Sequence, residues 1–413
     1  MSLARSMKRR LALLRNSARA RFGAARKLED VYAQVERMYQ PGPEFEEFDP
    51  SIGAGKQAIS NVIAFYLPQF HEIPQNNNNW GAGFTEWTNV ARSIPRYAGH
   101  TQPRIPRDLG FYNLLDGDAQ HRQAEMAKAA GVSGFCYYYY RLSGGPLLEK
   151  PLEKMCADPS VDMPFCLMWV NENWTRTWSG NGREVLLEQR YGDEEDIALV
   201  DDLARYFDDK RYIQVDGRPL LVIYRPDLLP NSEADVERIR SLFMTRHGVD
   251  PVLFMVQNNH GWDPRKHGLD AAIEFLPGKY KGRMSPIQKS LDLYDPHFNG
   301  TVLDYDEIMR LSMEDEAAHE EDFPLIRAVL PSWDNNPRRP GRGMLIHDSS
   351  PQKFEAWLRF IAEQSTRNKV FGESFVFVNA WNEWAEGTYL EPDRYYGSAY
   401  LNAVARAVFE RNS

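Results

Sequence analysis

Eight short, near-continuously apolar runs, separated by stretches of helical character, constrain this chain more than any other feature. They are Val62–Leu67, Gly134–Tyr138, Phe165–Val170, Leu220–Tyr224, Val252–Val256, Ala271–Phe275, Ile326–Leu330 and Phe375–Val378. A strand that is apolar at every position is covered on both faces, as in a parallel sheet wrapped by helices. Residues 118–130 carry Ala and Met at helical spacing, and 233–246 follow the cap candidate Ser232. Ser350 and Pro351 make an N-cap and N1 pair for a helix to about Ala362, and a last helix covers roughly 397–411. Eight strand–helix alternations over about 320 residues predict an α/β fold, a (β/α)8 TIM barrel. The competing open doubly wound sheet requires G-x-G-x-x-G after an early strand. Gly81-Ala82-Gly83 lacks the third glycine and sits in a long loop. Two irregularities stand out. The sixth run follows the fifth after only about fifteen residues, and about 65 separate the first from the second, which predicts an elaborated loop over one face.

The chain before the barrel differs in composition. Residues 1–27 hold nine basic residues and no acidic one, so the remainder carries 40 basic against 58 acidic residues, a formal −18. Such an acidic body excludes binding along a nucleic-acid backbone. Leu3, Met7, Leu11, Leu14, Ala18 and Phe22 form one apolar stripe on a helix, with arginines on its other faces. That pattern suits a solvated basic helix or one that docks on an anionic membrane surface or an assembly partner. The segment lacks the continuous apolar core of a secretory signal, although a mitochondrial presequence has similar composition. With three cysteines, Cys136, Cys156 and Cys166, too few for a disulfide scaffold, the expected setting is cytoplasmic, peripheral at the inner membrane face. The expected organisation is a helical extension over 1–40, a linker over 41–60 rich in Pro and Gly, and a catalytic barrel over 61–413. Gly53-Ala54-Gly55-Lys56 is no phosphate loop, because the earlier glycine is missing and Gln57 replaces Ser or Thr.

Barrel enzymes carry their chemistry at the C-terminal ends of the strands. Past the first run come Tyr66, Gln69 and His71; past the second, Tyr139, Tyr140 and Arg141. The third delivers Trp169, Asn171, Glu172, Asn173 and Trp174, the fourth Tyr224 and Arg225, and the fifth Gln257, Asn258, Asn259 and His260. Glu274 ends the sixth, Trp333 and Asp334 follow the seventh, and Asn379, Trp381, Asn382, Glu383 and Glu386 follow the eighth. Carboxylates and amides take sugar hydroxyls, while aromatic faces cover the apolar side of a pyranose. Each of these residues also has a plain structural role open to it, as packing or as a loop cap. The recurrence at nearly every strand end favours a saccharide site. The Asn76–Asn79 run reads as a turn.

The sharpest signal is Trp381-Asn382-Glu383-Trp384-Ala385-Glu386-Gly387-Thr388. Two carboxylates three residues apart share a face if the chain turns helically. Among indoles, desolvation and mutual repulsion raise at least one carboxyl pKa, which sets an acid beside a base, the equipment for breaking a glycosidic bond. An exposed acidic pair leading into the last helix fits the spacing equally well.

These residues resemble the WbsX-type proteins of bacterial surface-polysaccharide (O-antigen type) clusters, whose domain is similar to glycoside hydrolase family 99. The resemblance covers about residues 60–405. It rests on Ala64-Phe65-Tyr66-Leu67-Pro68-Gln69-Phe70-His71, Asn79-Trp80-Gly81, Phe84-Thr85-Glu86-Trp87, Trp169-Val170-Asn171-Glu172-Asn173-Trp174 and the 381–388 stretch. It implies a (β/α)8 barrel and retaining cleavage of an α-mannosidic bond with no metal and no cofactor. It also adds Trp80, Glu86 and Trp87 to the substrate-binding candidates. By the same resemblance, Glu383 takes the proton of the sugar 2-hydroxyl to give a 1,2-anhydro intermediate. Glu386 protonates the leaving oxygen and then acts as base toward water. The chain departs from family 99 in Ala385, where His is common, and Tyr389, where Gln is common; both changes bear on the sugar and its linkage. The alternatives are a sugar-nucleotide-dependent glycosyltransferase and a non-catalytic polysaccharide-binding barrel. Asp116-Gly117-Asp118 and Asp304-Tyr305-Asp306 have the D-x-D form that a metal-dependent transferase uses, but each reads as a helix start.

Overall fold

The computed structural model describes residues 28–175, 184–318 and 321–409. The basic stripe of residues 1–27 lies outside the described residues. The eight runs become the strands of one barrel: β1 (Asn61–Tyr66), β2 (Val132–Leu142), β3 (Phe165–Trp169), β4 (Arg218–Ile223), β5 (Val252–Gln257), β6 (Ala271–Glu274), β7 (Leu325–Ile326 with Ala328–Val329) and β8 (Phe375–Val378). Neighbours pair in parallel register around the ring, as in Ile63↔Phe377, Ala64↔Phe135 and Ile223↔Met255. The sheet comprises nine parallel segments because β7 is split by Arg327. Its first piece pairs with β6 (Ala272↔Leu325) and its second with β8 (Ala328↔Phe377), so one chain segment closes the ring. Where the β6–β7 ladder stops, the Glu274 carboxylate accepts the Ala328 N–H at 3.1 Å. The predicted (β/α)8 barrel is the observed fold.

Helices α1 (Gly117–Ala129), α2 (Lys150–Ala157), α3 (Asp193–Phe207), α4 (Ser232–His247), α5 (Tyr305–Ala318), α6 (Pro351–Ser365) and α7 (Ala399–Val408) cover the outside. The Ser350 hydroxyl accepts the Lys353 N–H with Pro351 at the first helical position, as its sequence predicts. At α4 the cap is Asn231, and Ser232 is the first helical residue. Both D-x-D stretches open helices, and Asp304 accepts the N–H groups of Asp306 and Glu307. The short β5–β6 link holds only a single-turn helix, Pro264–His267. Asn76–Asn79, expected as a turn, instead form the middle of a short helix, Pro74–Trp80, within the long β1–α1 connection.

The barrel interior is aromatic: the Phe65 ring lies 6.0 Å from Tyr138 and 5.2 Å from both Phe275 and Phe377. Burial of such rings is the main favourable contribution to the fold, about 1.5–3 kcal/mol for each fully buried large side chain. Residues 28–38 are helical, and Gln34 from that helix donates to the His100 carbonyl at 2.6 Å. The 41–60 stretch runs along the barrel, with Gly42 N–H bonded to the Tyr395 carbonyl and Glu46 paired with Arg406. Among the described residues no helix is long and apolar enough to cross a membrane.

Candidate functional site

A cleft of about 490 Å³ opens at the C-terminal ends of the strands, within the usual size of a small-ligand site. Its chemistry centres on Trp384–Glu386, a single tight helical turn in the loop after β8; Glu383 caps its start, Glu386 ends it, and both line the cleft. The turn closes at Gly387, whose φ of +61° favours glycine and where a Cβ would stand 2.8 Å from the Asp334 Cβ. Behind it the Asn382 side chain clamps β1, accepting the Leu67 N–H at 2.8 Å and donating to the Leu67 carbonyl at 3.0 Å. Trp384 stacks on Tyr389 at 3.8 Å and donates to Glu391, which also accepts from Tyr112 and Gln123. Burial raises the Glu391 carboxyl to about 7 against these bonds.

One guanidinium organises the acids. Arg338 Nε donates to Glu86 at 2.6 Å, and its two terminal nitrogens lie 2.7 Å from Glu383 and 2.8 Å from Glu386. Glu86 is fully buried at the start of the short helix Glu86–Val90 and accepts from Gln69 Nε2 at 2.7 Å. Arg338 itself is held by its loop. Asp334 caps Asn336 N–H at 2.9 Å and accepts from His100 Nε2 at 2.7 Å and Gln102 Nε2 at 2.6 Å. Burial pushes the Asp334 carboxyl up, but His100, Arg104 and Gln102 together bring it below the usual carboxylate range.

Burial drives the Glu383 carboxyl upward, Arg338 pulls it back, and Glu386 and Glu86 push it up again, to about 8. Glu386 is raised as well, first by burial, with Arg338 opposing and Glu86 adding. Three carboxylates around one cation hold a proton at neutral pH, and the pair titrates as a unit. Acid and base therefore stand side by side. Among the described residues no group of three or more His, Cys, Asp or Glu is placed to hold a metal ion.

Of the candidate substrate-binding residues, Gln69, Trp80, Glu172, Trp174, Tyr224, Asn258 and Trp333 line the cleft with Glu383 and Glu386. Glu86 stands behind it, on Arg338. The others lie elsewhere. Tyr66 donates to Gln123 outside the barrel, and Tyr139 packs on Tyr206 of α3. Trp169 meets Tyr191, and Asn171 clamps the Arg225 backbone, accepting its N–H at 2.7 Å and donating to its carbonyl at 2.8 Å. Gln257 donates to the Trp262 carbonyl, Asn379 to that of Leu276, and Trp87 to that of Tyr112. His71 is buried against the Pro68 carbonyl, and Trp381 packs on Phe135. Asp334 anchors the Arg338 loop. Glu274 is sealed in the barrel wall by Lys279 and Arg327 at 2.6 and 2.7 Å.

For the candidates on or next to β2, β3 and β6 the reason is strand parity. Side chains alternate between faces, so a shift of one residue moves a group from the interior to the outside. The cleft takes Tyr138 and Tyr140 of β2, not Tyr139; Met168 of β3 with Val170 and Glu172 just past it, not Trp169 and Asn171; and Phe275 after β6, not Glu274. Sequence reasoning also missed Arg338. The available signal was the paired arginines of Pro337-Arg338-Arg339-Pro340, just past the seventh strand end and opposite an unmatched acid pair.

The sequence model of the WbsX glycosyltransferase family matches residues 62–404. Proteins designated WxcX from two strains of Xanthomonas campestris pv. campestris are 42% identical over 350 residues, covering 84% of this chain and 50% of theirs. The chain thus spans about half the length of the curated relatives it matches. Among solved structures, the family 99 endo-α-mannosidase of Bacteroides thetaiotaomicron in complex with bis-tris-propane superposes with a TM-score of 0.52 at 16% identity, covering 84% of this chain and 95% of that one. A glycoside hydrolase-like protein superposes with a TM-score of 0.54 at 16% identity, covering 90% and 98%. At such identities the likeness is one of fold.

Proposed function

This chain belongs to the WbsX glycosyltransferase family, and on that premise we propose that its barrel cleaves or transfers a glycosidic bond in bacterial surface-polysaccharide metabolism. The observation that carries this proposal is the Glu383–Arg338–Glu386 cluster, two raised carboxyls on one guanidinium in the wall of a cleft with three indoles, Trp80, Trp174 and Trp333. In the mechanism that the family 99 resemblance implies, Glu383 removes the proton of the sugar 2-hydroxyl. That oxygen attacks C1 while Glu386 protonates the departing oxygen, which leaves a 1,2-anhydro sugar. Glu386 then takes a proton from water or an acceptor hydroxyl as its oxygen attacks C1, and Glu383 returns its proton to O2. Configuration is retained, and atoms and protons balance. Burial raises both carboxyls, and these roles require the shared proton to sit on Glu386 at the moment of attack.

Glu383→Gln and Glu386→Gln should each lower turnover by ~10²–10⁴-fold. On a panel of 4-nitrophenyl glycosides, whose leaving group needs no proton, Glu386→Gln should recover its first step and Glu383→Gln should not. Full activity in both variants removes the pair from the mechanism, and saccharide binding without product in the parent chain leaves a binding barrel. The family description favours a second form of the same proposal, in which an acceptor sugar replaces water. A sugar-nucleotide donor would appear as calorimetric binding of nucleotide sugars with or without a divalent metal. The basic stripe of residues 1–27 supports a peripheral site of action at an anionic membrane surface. Deleting it should abolish binding to anionic liposomes, and unchanged binding refutes that placement.

A further inference from the structure

Two cations of the cleft wall take no part in the acid cluster. Lys281 lies on the turn after β6 and Arg339 on the loop after β7, so consecutive strand ends present them, and both are exposed. Gly278 brings the first of these turns against Asn258: a Cβ there would fall 1.6 Å from the Asn258 Oδ1. Among the described residues the other cationic groups at the site are spoken for. Arg338 is divided among three carboxylates, and Arg225 pairs with Asp227 at 2.7 Å and Glu172 at 3.5 Å. Among the described residues neither Lys281 nor Arg339 has a carboxylate within salt-bridge distance. Arg339 nevertheless stands close enough to Glu386 to draw its carboxyl downward.

Cations without a carboxylate partner are unusual on the wall of such a cleft. Beyond residue 27 the chain carries 40 basic against 58 acidic residues. A concave, low-dielectric wall concentrates the field of any charge left unneutralised there. An ammonium and a guanidinium fork on the wall of one cleft match the oxygens of a carboxylate or phosphate, whereas a neutral sugar gains nothing from them that an amide would not supply. Resting on the catalytic role of Glu383 and Glu386, we propose that the substrate is an acidic saccharide whose carboxylate or phosphate, on the Glu386 side of the scissile bond, is received by Lys281 and Arg339. The anion neutralises the two cations, and its position beside Glu386 favours the protonated form of that acid, the form the leaving oxygen needs.

The test is calorimetric titration of the full chain with matched hexose 1-phosphates, hexuronic acids and neutral methyl hexosides of gluco, galacto and manno configuration. Inorganic phosphate and UDP are titrated alongside. At least one charged member should bind ~10-fold or more tightly than its neutral match, and the preference should shrink as salt is raised and the charges are screened. In the Lys281→Ala/Arg339→Ala chain the charged-to-neutral ratio should fall close to one, and Lys281→Arg/Arg339→Lys should restore it. A phosphate preference identifies a phosphorylated or phosphate-linked sugar, a uronate preference an acidic residue of the polymer, and a preference confined to UDP overturns the proposal in favour of a nucleotide site. Equal binding of charged and neutral members, no binding of any charged member, or a ratio that survives the double substitution also overturns it. The catalytic proposal fails separately. A charge preference in a chain whose Glu383→Gln and Glu386→Gln variants turn over at full rate keeps the anion site and removes the acids.

Discussion

Glu274 and Glu383 are two buried glutamates at strand ends of the same barrel, and they sit at opposite ends of the proton scale. Both are almost sealed from solvent, 0% and 3% exposed, so desolvation pushes both upward. In Glu274 that push is overcome by Lys279 and Arg327, with the Tyr280 hydroxyl and Ala328 N–H completing its shell, and the carboxyl settles near 2. Glu383 shares one cation with Glu86 and Glu386 and settles near 8. Burial therefore does not decide the outcome; the number of cations and donors per carboxylate does. The wall cluster closes the gap where β7 passes from β6 to β8. The cleft cluster leaves a proton free to move.

The largest expected effect follows from exchanging one carboxylate for an amide on each side. Glu274→Gln leaves Lys279 and Arg327 without their central counter-charge and should cost ~3–5 kcal/mol of unfolding free energy. Glu383→Gln should do the reverse in alkaline solution. The unfolded carboxyl ionises near 4.5 while the native one keeps its proton to about 8, so the native state binds the extra proton and loses stability as pH rises through that window. The amide removes that loss, and the variant should be ~1–2 kcal/mol more stable than the parent at pH 8 and similar to it at pH 4.5. Glu274 contributes its stability above the ordinary carboxylate range and loses it as pH falls toward 2. Denaturant titrations at three pH values check both signs; a Glu383→Gln chain that weakens steadily toward pH 8 breaks the comparison.

Removing the shared cation comes next. Arg338→Gln takes from Glu86, Glu383 and Glu386 the guanidinium they share, and since Arg338 draws the Glu383 and Glu386 carboxyls downward, both should move further up. Turnover should fall ~100-fold, about 2.7 kcal/mol, with the alkaline limb of the pH–rate profile displaced to higher pH. Lost activity with an unmoved profile would make Arg338 a mere clasp for its loop.

The same contrast explains what the sequence discloses. Eight doubly covered strands announce themselves because a run such as Val252–Val256 can be apolar throughout only if both faces are covered. The Glu383/Glu386 pair is legible because the link between its members is local, three residues on one turn. That continuous apolarity erases the alternation that would tell inside from outside, and so Tyr139, Trp169, Asn171 and Glu274 are one residue away from the positions that face the cleft. The charge balance of either cluster was beyond reach for a different reason. Arg338 meets Glu86 across 252 positions of the chain, and Glu274 meets Arg327 across 53. No local pattern encodes such partners. Arg327 does leave a trace, as a charge beside Ile326 in the seventh run that belongs to the break in β7.

The smallest expected effect tests that one-residue parity directly. Tyr138 lines the cleft, and burial together with Glu383 and Glu386 holds its phenol far above its ordinary range, so it stays a neutral hydrogen-bond donor near the acids. Tyr139, its neighbour on β2, lies against Tyr206 on the other face. Tyr138→Phe deletes one donor inside the cleft and should weaken saccharide binding ~3–10-fold, the worth of a single hydrogen bond. Tyr139→Phe should leave binding within twofold and register in thermal stability alone, by a few tenths of a kcal/mol. If Tyr139→Phe weakens binding more than Tyr138→Phe does, the inner face of β2 is the other one. The cleft wall would then have to be rebuilt around Tyr139, Trp169 and Asn171, with the acid cluster outside it.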